Sequence, residues 1–180
     1  MMIVLEYHPK GDLGSYLQKK GRLSPSKALR FALDIARHIF FSGYFLVCRG
    51  MNYLHECKPD PIIHCDLKPK NILLDCVGQL KVAGFGLVKL SKLSPTKVKL
   101  SQAASIDPSN LYVAPEVYKD EIFDRSIDAF SFGLVLYEKI EGAQPFHPKT
   151  PEEVAKMICI EGMRPPFKLI KSKGYPTDLK

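Results

Sequence analysis

The sequence predicts a mainly α-helical domain with a few short β-strands, and three observations lead to that prediction. Apolar residues recur at helical spacing in the segments 25–36, 126–140 and 151–160. The apolar runs between these segments are only two or three residues long, which favours small hairpins over a continuous sheet. At 180 residues, with 46% hydrophobic side chains, the chain is long enough for one domain with its own core.

The first elements are a strand and two helices. Residues 2–7 are apolar enough for a strand, and Asp12, after a turn, can cap a short helix that continues through Lys19. Pro25 occupies the first turn of a second helix, where its missing N–H costs nothing. The chain therefore enters its helical part near residue 12.

Residues 51–55 continue the apolar pattern of that second helix, but the twelve aromatic and apolar residues 38–49 intervene. Twelve residues make about three and a third helical turns, which would rotate the downstream apolar face by roughly 120°. We therefore interpret 38–49 as an insertion that bulges out of the fold.

The later elements are short strands followed by helices. Residues 90–112 lack periodicity, whereas Ser126–Ile140 predicts a largely buried helix and Pro151 opens a helix towards Ile160. Three short apolar runs between polar loops predict strands: Ile62–Ile63, Ile72–Leu74 and Leu80–Val82.

Composition excludes several classes of function. The 26 Lys and Arg against 19 Asp and Glu give a net charge of +7, but the charges are scattered, so we expect no nucleic-acid partner. The basic stretch 89–99 is either a solvated loop or a phosphate-binding patch. The apolar stretch 39–48 is far shorter than the ~20 residues of a membrane helix, so no membrane span is predicted. The five cysteines suggest neither a disulfide framework nor a zinc site, which favours a cytoplasmic location.

One run carries recognisable chemistry. The sequence IHCDLKPKNILL, residues 63–74, places Asp66, Lys68 and Asn71 at relative positions 0, +2 and +5. This run resembles the catalytic loop of protein kinases. The resemblance implies that Asp66 is the catalytic carboxylate facing the incoming hydroxyl, that Lys68 lies near the transferred phosphate and that Asn71 binds Mg²⁺. Lysine two residues after the aspartate is usual in the serine/threonine type, which implies Ser or Thr as the acceptor.

Three further motifs follow in the order of the same family. Residues 82–86 read VAGFG where the family has its Asp-Phe-Gly motif, and residues 114–116 read Ala-Pro-Glu. Residues 126–133, SIDAFSFG, resemble the central buried helix, whose Asp128 would hold the backbone of the catalytic loop. Four motifs in family order make a chance resemblance very improbable.

The resemblance implies a fold and a set of ligands. It covers residues 1–180 as a partial protein kinase domain, namely the hinge and C-terminal lobe, with the small lobe expected upstream of Met1 and the last helices beyond Lys180. ATP and Mg²⁺ are the implied cofactors. The hinge backbone from Glu6 to His8 would meet the adenine edge, and Leu73 would form the floor of the adenine site.

A narrower resemblance concerns two runs, HCDLKPKNILLD and LKVAGFGLVKL. They are similar to those of the plant integrin-linked kinases, which carry ankyrin repeats and are related to Raf. Protein substrates or signalling partners are therefore the implied partners.

Two departures from the family pattern weaken the catalytic prediction. Gly84 stands where the metal-binding aspartate belongs and offers no side-chain oxygen, unless Asn71 holds a metal ion with another carboxylate. Cys65 replaces the arginine that pairs with an activation-loop phosphate. Three hypotheses follow: an impaired serine/threonine kinase, a pseudokinase scaffold that binds partner proteins, and a truncated product that does not fold stably.

Overall fold

Six helices and four short strands make up the part of the chain that this computed structural model describes, residues 7–36, 51–84, 90–94, 96–100, 107 and 110–168. The predicted mainly α class is therefore confirmed. The interpreted insertion at 38–49 lies outside the described residues, as does the predicted first strand apart from Tyr7. The helices are α1 Leu13–Lys20, α2 Pro25–Ala36, α3 Met51–His55, α4 Pro115–Tyr118, α5 Ser126–Glu141 and α6 Pro151–Cys159; the strands are β1 Ile72–Leu74, β2 Leu80–Val82, β3 Leu90–Lys92 and β4 Val98–Leu100.

Local capping chemistry sets the helix ends. The Asp12 carboxylate accepts a hydrogen bond from the Ser15 backbone N–H at 2.9 Å and caps α1, as predicted. Thr150 and Glu153 form a reciprocal capping box at the start of α6. Pro25 and Pro151 begin α2 and α6, so the predicted starts of both helices are confirmed.

Helix α5 is the central element beneath the loops. It packs against α2, and its side chains Ile127, Leu134, Val135 and Ile140 are at most 5% exposed. Because a fully buried side chain of this size contributes roughly 1.5–3 kcal/mol, α5 is a strong anchor for whatever contacts it.

The two strands predicted at 72–74 and 80–82 form an antiparallel hairpin that pairs Ile72 with Val82 and Leu74 with Leu80. The predicted strand at Ile62–Ile63 is wrong. Its backbone instead returns to the end of α3, where the Ile62 N–H donates to the Leu54 carbonyl at 2.8 Å, so it has no strand partner.

The hairpin β3–β4 falls in the region where the sequence showed no periodicity, pairing Leu90 with Leu100. Val98 also exchanges two backbone hydrogen bonds with Phe123, both at 2.9 Å. Three ion pairs add to this attachment: Lys92–Asp60, Lys97–Asp124 and Lys99–Asp120. Within the described residues, none of the helices has the length and apolarity that a bilayer crossing requires.

Candidate functional site

The candidate site is built on residues 62–71, here named the Asp66 loop, which connects α3 to β1. Leu67 is 1% exposed and anchors the middle of the loop in the core. A short 3₁₀ turn, Pro69–Asn71, leads into β1, whose Ile72 is fully buried. Buried apolar residues therefore fix the middle and the end of the loop in the core.

Asp128 of α5 holds this loop by its backbone. Its carboxylate accepts hydrogen bonds from the N–H groups of His64 at 2.9 Å and Cys65 at 3.0 Å, and it contacts His55 Nε2 at 2.7 Å. Asp128 is 1% exposed, and its contact with the His64 N–H is buried. The loop contact predicted for Asp128 is present.

His64 is fully buried and links the loop to the strand end. Its Nδ1 accepts a hydrogen bond from the Asp66 N–H at 3.2 Å, which requires the proton to sit on Nε2. Nε2 then donates to the Ala83 carbonyl at 2.9 Å. The neutral imidazole thereby joins the backbone at Asp66 to the residue before Gly84.

The structure brings Asp66, Lys68 and Asn71 together. Lys68 Nζ lies 3.0 Å from Asp66 Oδ1, and Asn71 Nδ2 donates to Asp66 Oδ2 at 2.9 Å and to its backbone carbonyl at 2.8 Å. The side chains of Asp66 and Lys68 are each 27% exposed, so the pair is open to a ligand on one side. This arrangement presents a carboxylate and a cation to the same space.

Sequence reasoning missed a fourth contact, made by Asn110. Its Nδ2 donates to Asp66 Oδ1 at 3.0 Å, while its Oδ1 accepts from the Tyr112 N–H at 3.1 Å. The second contact is a local Asx turn, for which asparagine two residues before Tyr112 is a recognisable signal. No such signal points to Asp66, which is 44 residues away.

Tyr112 in turn is fixed to α5. Its hydroxyl donates to Glu138, and its carbonyl accepts from Ser131 Oγ at 2.8 Å. Burial raises the pKa of Tyr112, and the Glu138 carboxylate adds to this shift, so the phenol stays protonated and remains a donor. Burial also raises the pKa of Glu138.

Gly84 adopts a left-handed backbone, with φ of 77°, and Asn71 packs directly on it. A Cβ at this position would lie 3.1–3.3 Å from three atoms of the Asn71 side chain. The amide of Asn71 therefore occupies much of the space next to Gly84. Among the described residues, no cluster of three or more His, Cys, Asp or Glu side chains could hold a metal ion.

Cys65 has a left-handed backbone as well, with φ of 65°, which is unusual for a residue with a side chain. The two hydrogen bonds from the His64 and Cys65 N–H groups to Asp128 hold this conformation. Burial raises the pKa of the Cys65 thiol to about 12, with contributions from the carboxylates of Asp128 and Asp66. The thiol is therefore protonated at neutral pH and is a poor nucleophile.

The residues predicted to meet adenine are only partly described. Leu73 and His8 are half-buried, and the segment that follows His8 runs beside β1, where the Leu74 N–H donates to the Gly11 carbonyl at 2.9 Å. Glu6 lies outside the described residues. The hinge prediction therefore stays a prediction.

A cleft of about 500 Å³ opens beside the Asp66 loop. Lys68, Pro69 and Asn110 line one side, and Asp12 and Glu138 are among the residues that line the rest. A cleft of this size accommodates several side chains of a bound segment. A second cavity, of about 770 Å³, lies between the β3–β4 hairpin and the start of α5.

Comparisons with known proteins agree with the motifs. The protein kinase domain model matches residues 1–177. The chain is 67% identical to integrin-linked protein kinase 1 of Arabidopsis thaliana and 46% identical to serine/threonine-protein kinase 12 of the same plant, covering 100% of this chain and 35% of each relative. It is 42% identical to the Arabidopsis serine/threonine-protein kinase VIK, covering 100% of this chain and 37% of that protein. The chain thus spans about a third of the length of these relatives.

Proposed function

Because this chain belongs to the protein kinase family, we propose that it transfers the γ-phosphate of ATP to Ser or Thr hydroxyls of proteins, at a reduced rate. The predicted resemblance to plant integrin-linked kinases is confirmed by the comparison. The observation that carries the proposal is the convergence of Lys68, Asn71 and Asn110 on the carboxylate of Asp66. A partly exposed carboxylate held by three donors is suited to orienting an incoming hydroxyl.

In the proposed reaction the acceptor oxygen attacks the γ-phosphorus, and the bond between that phosphorus and the β–γ bridging oxygen breaks. Asp66 accepts the hydrogen bond of the hydroxyl and takes its proton, and ADP is the leaving group. Lys68 Nζ, 3.0 Å from Asp66, places positive charge beside the transferred phosphoryl group. The 500 Å³ cleft receives the acceptor segment.

Protein kinases use Mg²⁺ to neutralise the phosphates of ATP, and the described residues fit this ion poorly. Asn71 offers one amide oxygen, whereas Gly84 offers no side chain where the family has a carboxylate. Mg²⁺ prefers a nearly complete octahedron of oxygen ligands that includes carboxylates. The poor fit at Gly84 accounts for the reduced rate in this proposal.

The proposal includes the assignment of domain parts. Residues 1–180 correspond to the hinge and C-terminal lobe of the kinase fold, with 38–49 as an insertion. Glu6, His8 and Leu73 contact adenine in this assignment. A cytoplasmic location accords with the free thiols of Cys57, Cys65, Cys76 and Cys159.

A second candidate function is a pseudokinase scaffold that binds partner proteins. Gly84 and Cys65 favour it, because both positions depart from the family pattern while the fold around them is kept. In this alternative the well-anchored Asp66 loop would be a structural remnant.

The variant Gly84→Asp distinguishes the two functions. We expect Mg²⁺-dependent transfer from radiolabelled ATP to casein to rise by about tenfold or more, because a second metal ligand is restored. Gly84→Asn is the matched control, since it imposes the same left-handed strain and crowding on Asn71 without adding a carboxylate. It should transfer phosphate no faster than the wild type.

Asp66→Asn should abolish transfer in both backgrounds, and transfer that persists in this variant would contradict the assigned role of Asp66. A wild-type rate equal to that of Gly84→Asp would show that the enzyme is not impaired. If every variant folds and none transfers phosphate, the transferase proposal is contradicted and the scaffold is the candidate that is left.

A further inference from the structure

One hydrogen bond to the Asp66 carboxylate comes from outside the Asp66 loop, from the side chain of Asn110. The two polar atoms of the Asn110 amide have different partners. Nδ2 donates to Asp66 Oδ1 at 3.0 Å, and Oδ1 accepts from the Tyr112 N–H at 3.1 Å. The contact with Asp66 therefore needs the N–H donor of the amide, and the contact with Tyr112 needs its carbonyl acceptor.

These contacts close a ring around Asp66 that begins and ends on α5. From one side, Asp128 holds the loop through the N–H groups of His64 and Cys65. From the other side, Tyr112 is bonded to α5 by its carbonyl and its hydroxyl, and Asn110 joins Tyr112 to Asp66. Helix α5 thus holds the backbone next to Asp66 from one side, and through Tyr112 and Asn110 it restrains the Asp66 carboxylate from the other.

The contact also decides which oxygen of Asp66 is left for a ligand. Among the contacts that the described residues make, Oδ1 receives both Lys68 Nζ and Asn110 Nδ2, whereas Oδ2 receives Asn71 Nδ2 alone. A carboxylate oxygen accepts two hydrogen bonds in its plane without crowding. The rotation of the carboxylate that Asn110 enforces thus leaves its open lone pair on Oδ2.

We propose that Asn110 is a positioning residue, which fixes the rotation of the Asp66 carboxylate and couples it to the order of the segment around Tyr112. The proposal rests on the proposed function, because its kinetic consequence appears only if Asp66 takes part in phosphoryl transfer. A change in the conformation of residues 110–112 would then change the orientation of the Asp66 carboxylate through the side chain of Asn110.

The competing account is that Asn110 is only a turn former. Asparagine and aspartate close an Asx turn equally well, because either side chain offers the oxygen that accepts from the backbone N–H. Aspartate cannot donate to Asp66, however, and it would place a second carboxylate beside it. Asn110→Asp therefore keeps the turn and removes the contact.

The experiment compares the full 180-residue chain with Asn110→Asp, using ATP and casein. We expect kcat to fall by roughly 10- to 100-fold, the loss typical of a misplaced catalytic group, while the KM for ATP stays within about twofold. Asn52→Asp in α3 makes the same chemical change elsewhere and should leave both constants unchanged. Equal kcat values for Asn110→Asp and the wild type would overturn the proposal.

A second measurement tests the contact without catalysis. In ¹⁵N-labelled protein, the side-chain amide resonances of Asn110 and Asn71 should move in Asp66→Ala, and the resonance of Asn52 should stay in place. Asp66→Leu, which also lacks an acceptor oxygen, serves the same purpose if the alanine variant does not fold. If the wild type transfers no phosphate, the proposed function fails, and the Asn110 resonance alone decides: an unmoved resonance overturns the inference, and a shifted one supports it.

Discussion

Helix α5 buries one acidic and one basic side chain, Asp128 in its first turn and Lys139 in its last, and their surroundings differ completely. The Asp128 carboxylate, 1% exposed, has three hydrogen-bonding partners, two of them backbone N–H groups. Lys139 is fully buried, and within the described residues its Nζ has no hydrogen-bond partner. The ring of Phe31 lies 5.8 Å from Nζ, and the carboxylates of Asp34 and Glu138 offset part of the cost of burying the charge.

The difference shows that a buried charge acts according to its partners. Several hydrogen bonds from N–H groups offset the desolvation free energy of a buried carboxylate and also hold the donor groups in place. For a buried ammonium group without hydrogen-bond partners the desolvation free energy is not offset, so the group loses its proton more readily. Accordingly, burial lowers the pKa of Lys139 to about 7, although Asp34 and Glu138 act in the opposite direction.

The largest expected effect is that of Asp128→Ala. The substitution leaves the buried N–H of His64 and the N–H of Cys65 without their acceptor, so we expect a loss of about 3–5 kcal/mol in the free energy of unfolding. Urea denaturation measures it. Asp128→Asn keeps one acceptor oxygen and should lose clearly less, and an alanine variant within about 1 kcal/mol of the wild type would contradict this account.

Lys139→Met should have a smaller effect of opposite sign. Methionine fills a similar volume without a charge, so we expect the free energy of unfolding to rise by about 1–4 kcal/mol at pH 6 to 7. The lysine binds fewer protons in the folded state, where its pKa is about 7, than in the unfolded state, where it is 10.5. The stability of the wild type therefore increases as the pH rises from about 7 to 10.5, and the stability advantage of Lys139→Met shrinks over the same range.

Unfolding curves between pH 6 and pH 10 check this prediction. Lys139→Arg is the control, because arginine keeps its proton throughout the range and should remain destabilised at every pH. A stability difference between the wild type and Lys139→Met that does not change with pH would show that Lys139 is not the titrating group.

The smallest effect is expected at an exposed pair, Lys97 and Asp124, which are 2.7 Å apart. The hydrogen bond from Lys97 lowers the pKa of Asp124, yet the two side chains are 50% and 32% exposed. Lys97→Ala should therefore cost about 0.2–1 kcal/mol, and the loss should fade as salt is added. Thermal unfolding at two salt concentrations measures this loss of stability. A loss above about 2 kcal/mol would contradict the view that exposed charge pairs contribute less to stability than buried ones.

The features that were predicted correctly depend on neighbours in the sequence. Asp12, Pro25 and Pro151 mark helix starts because capping is decided within one helical turn. Asp66, Lys68 and Asn71 lie within six residues, in a run that resembles the kinase catalytic loop; the structure brings their side chains together, and their catalytic roles stay a prediction. The exception is the contact of Asp128 with the N–H groups of His64 and Cys65, 64 and 63 residues away, which was predicted from the family resemblance and not from a local pattern.

The features that were missed depend on distant partners. The β3–β4 hairpin is held by Phe123 and by ion pairs rather than by an alternating apolar pattern, so no periodicity announces it. Asn110 reaches Asp66 across 44 residues. A lysine near the end of a helix is expected to be exposed because of its charge, whereas Lys139 is fully buried.

The packing at Gly84 has a consequence for the selectivity of inhibitors. Because the amide of Asn71 stands 3.1–3.3 Å from where a Cβ would be, the glycine does not open an extra pocket that a larger compound could fill. What distinguishes this chain from a kinase with aspartate at that position is a missing negative charge. Compounds that bind ordinary kinases through a cationic group on that aspartate should discriminate against this chain, whereas compounds chosen for size alone should not.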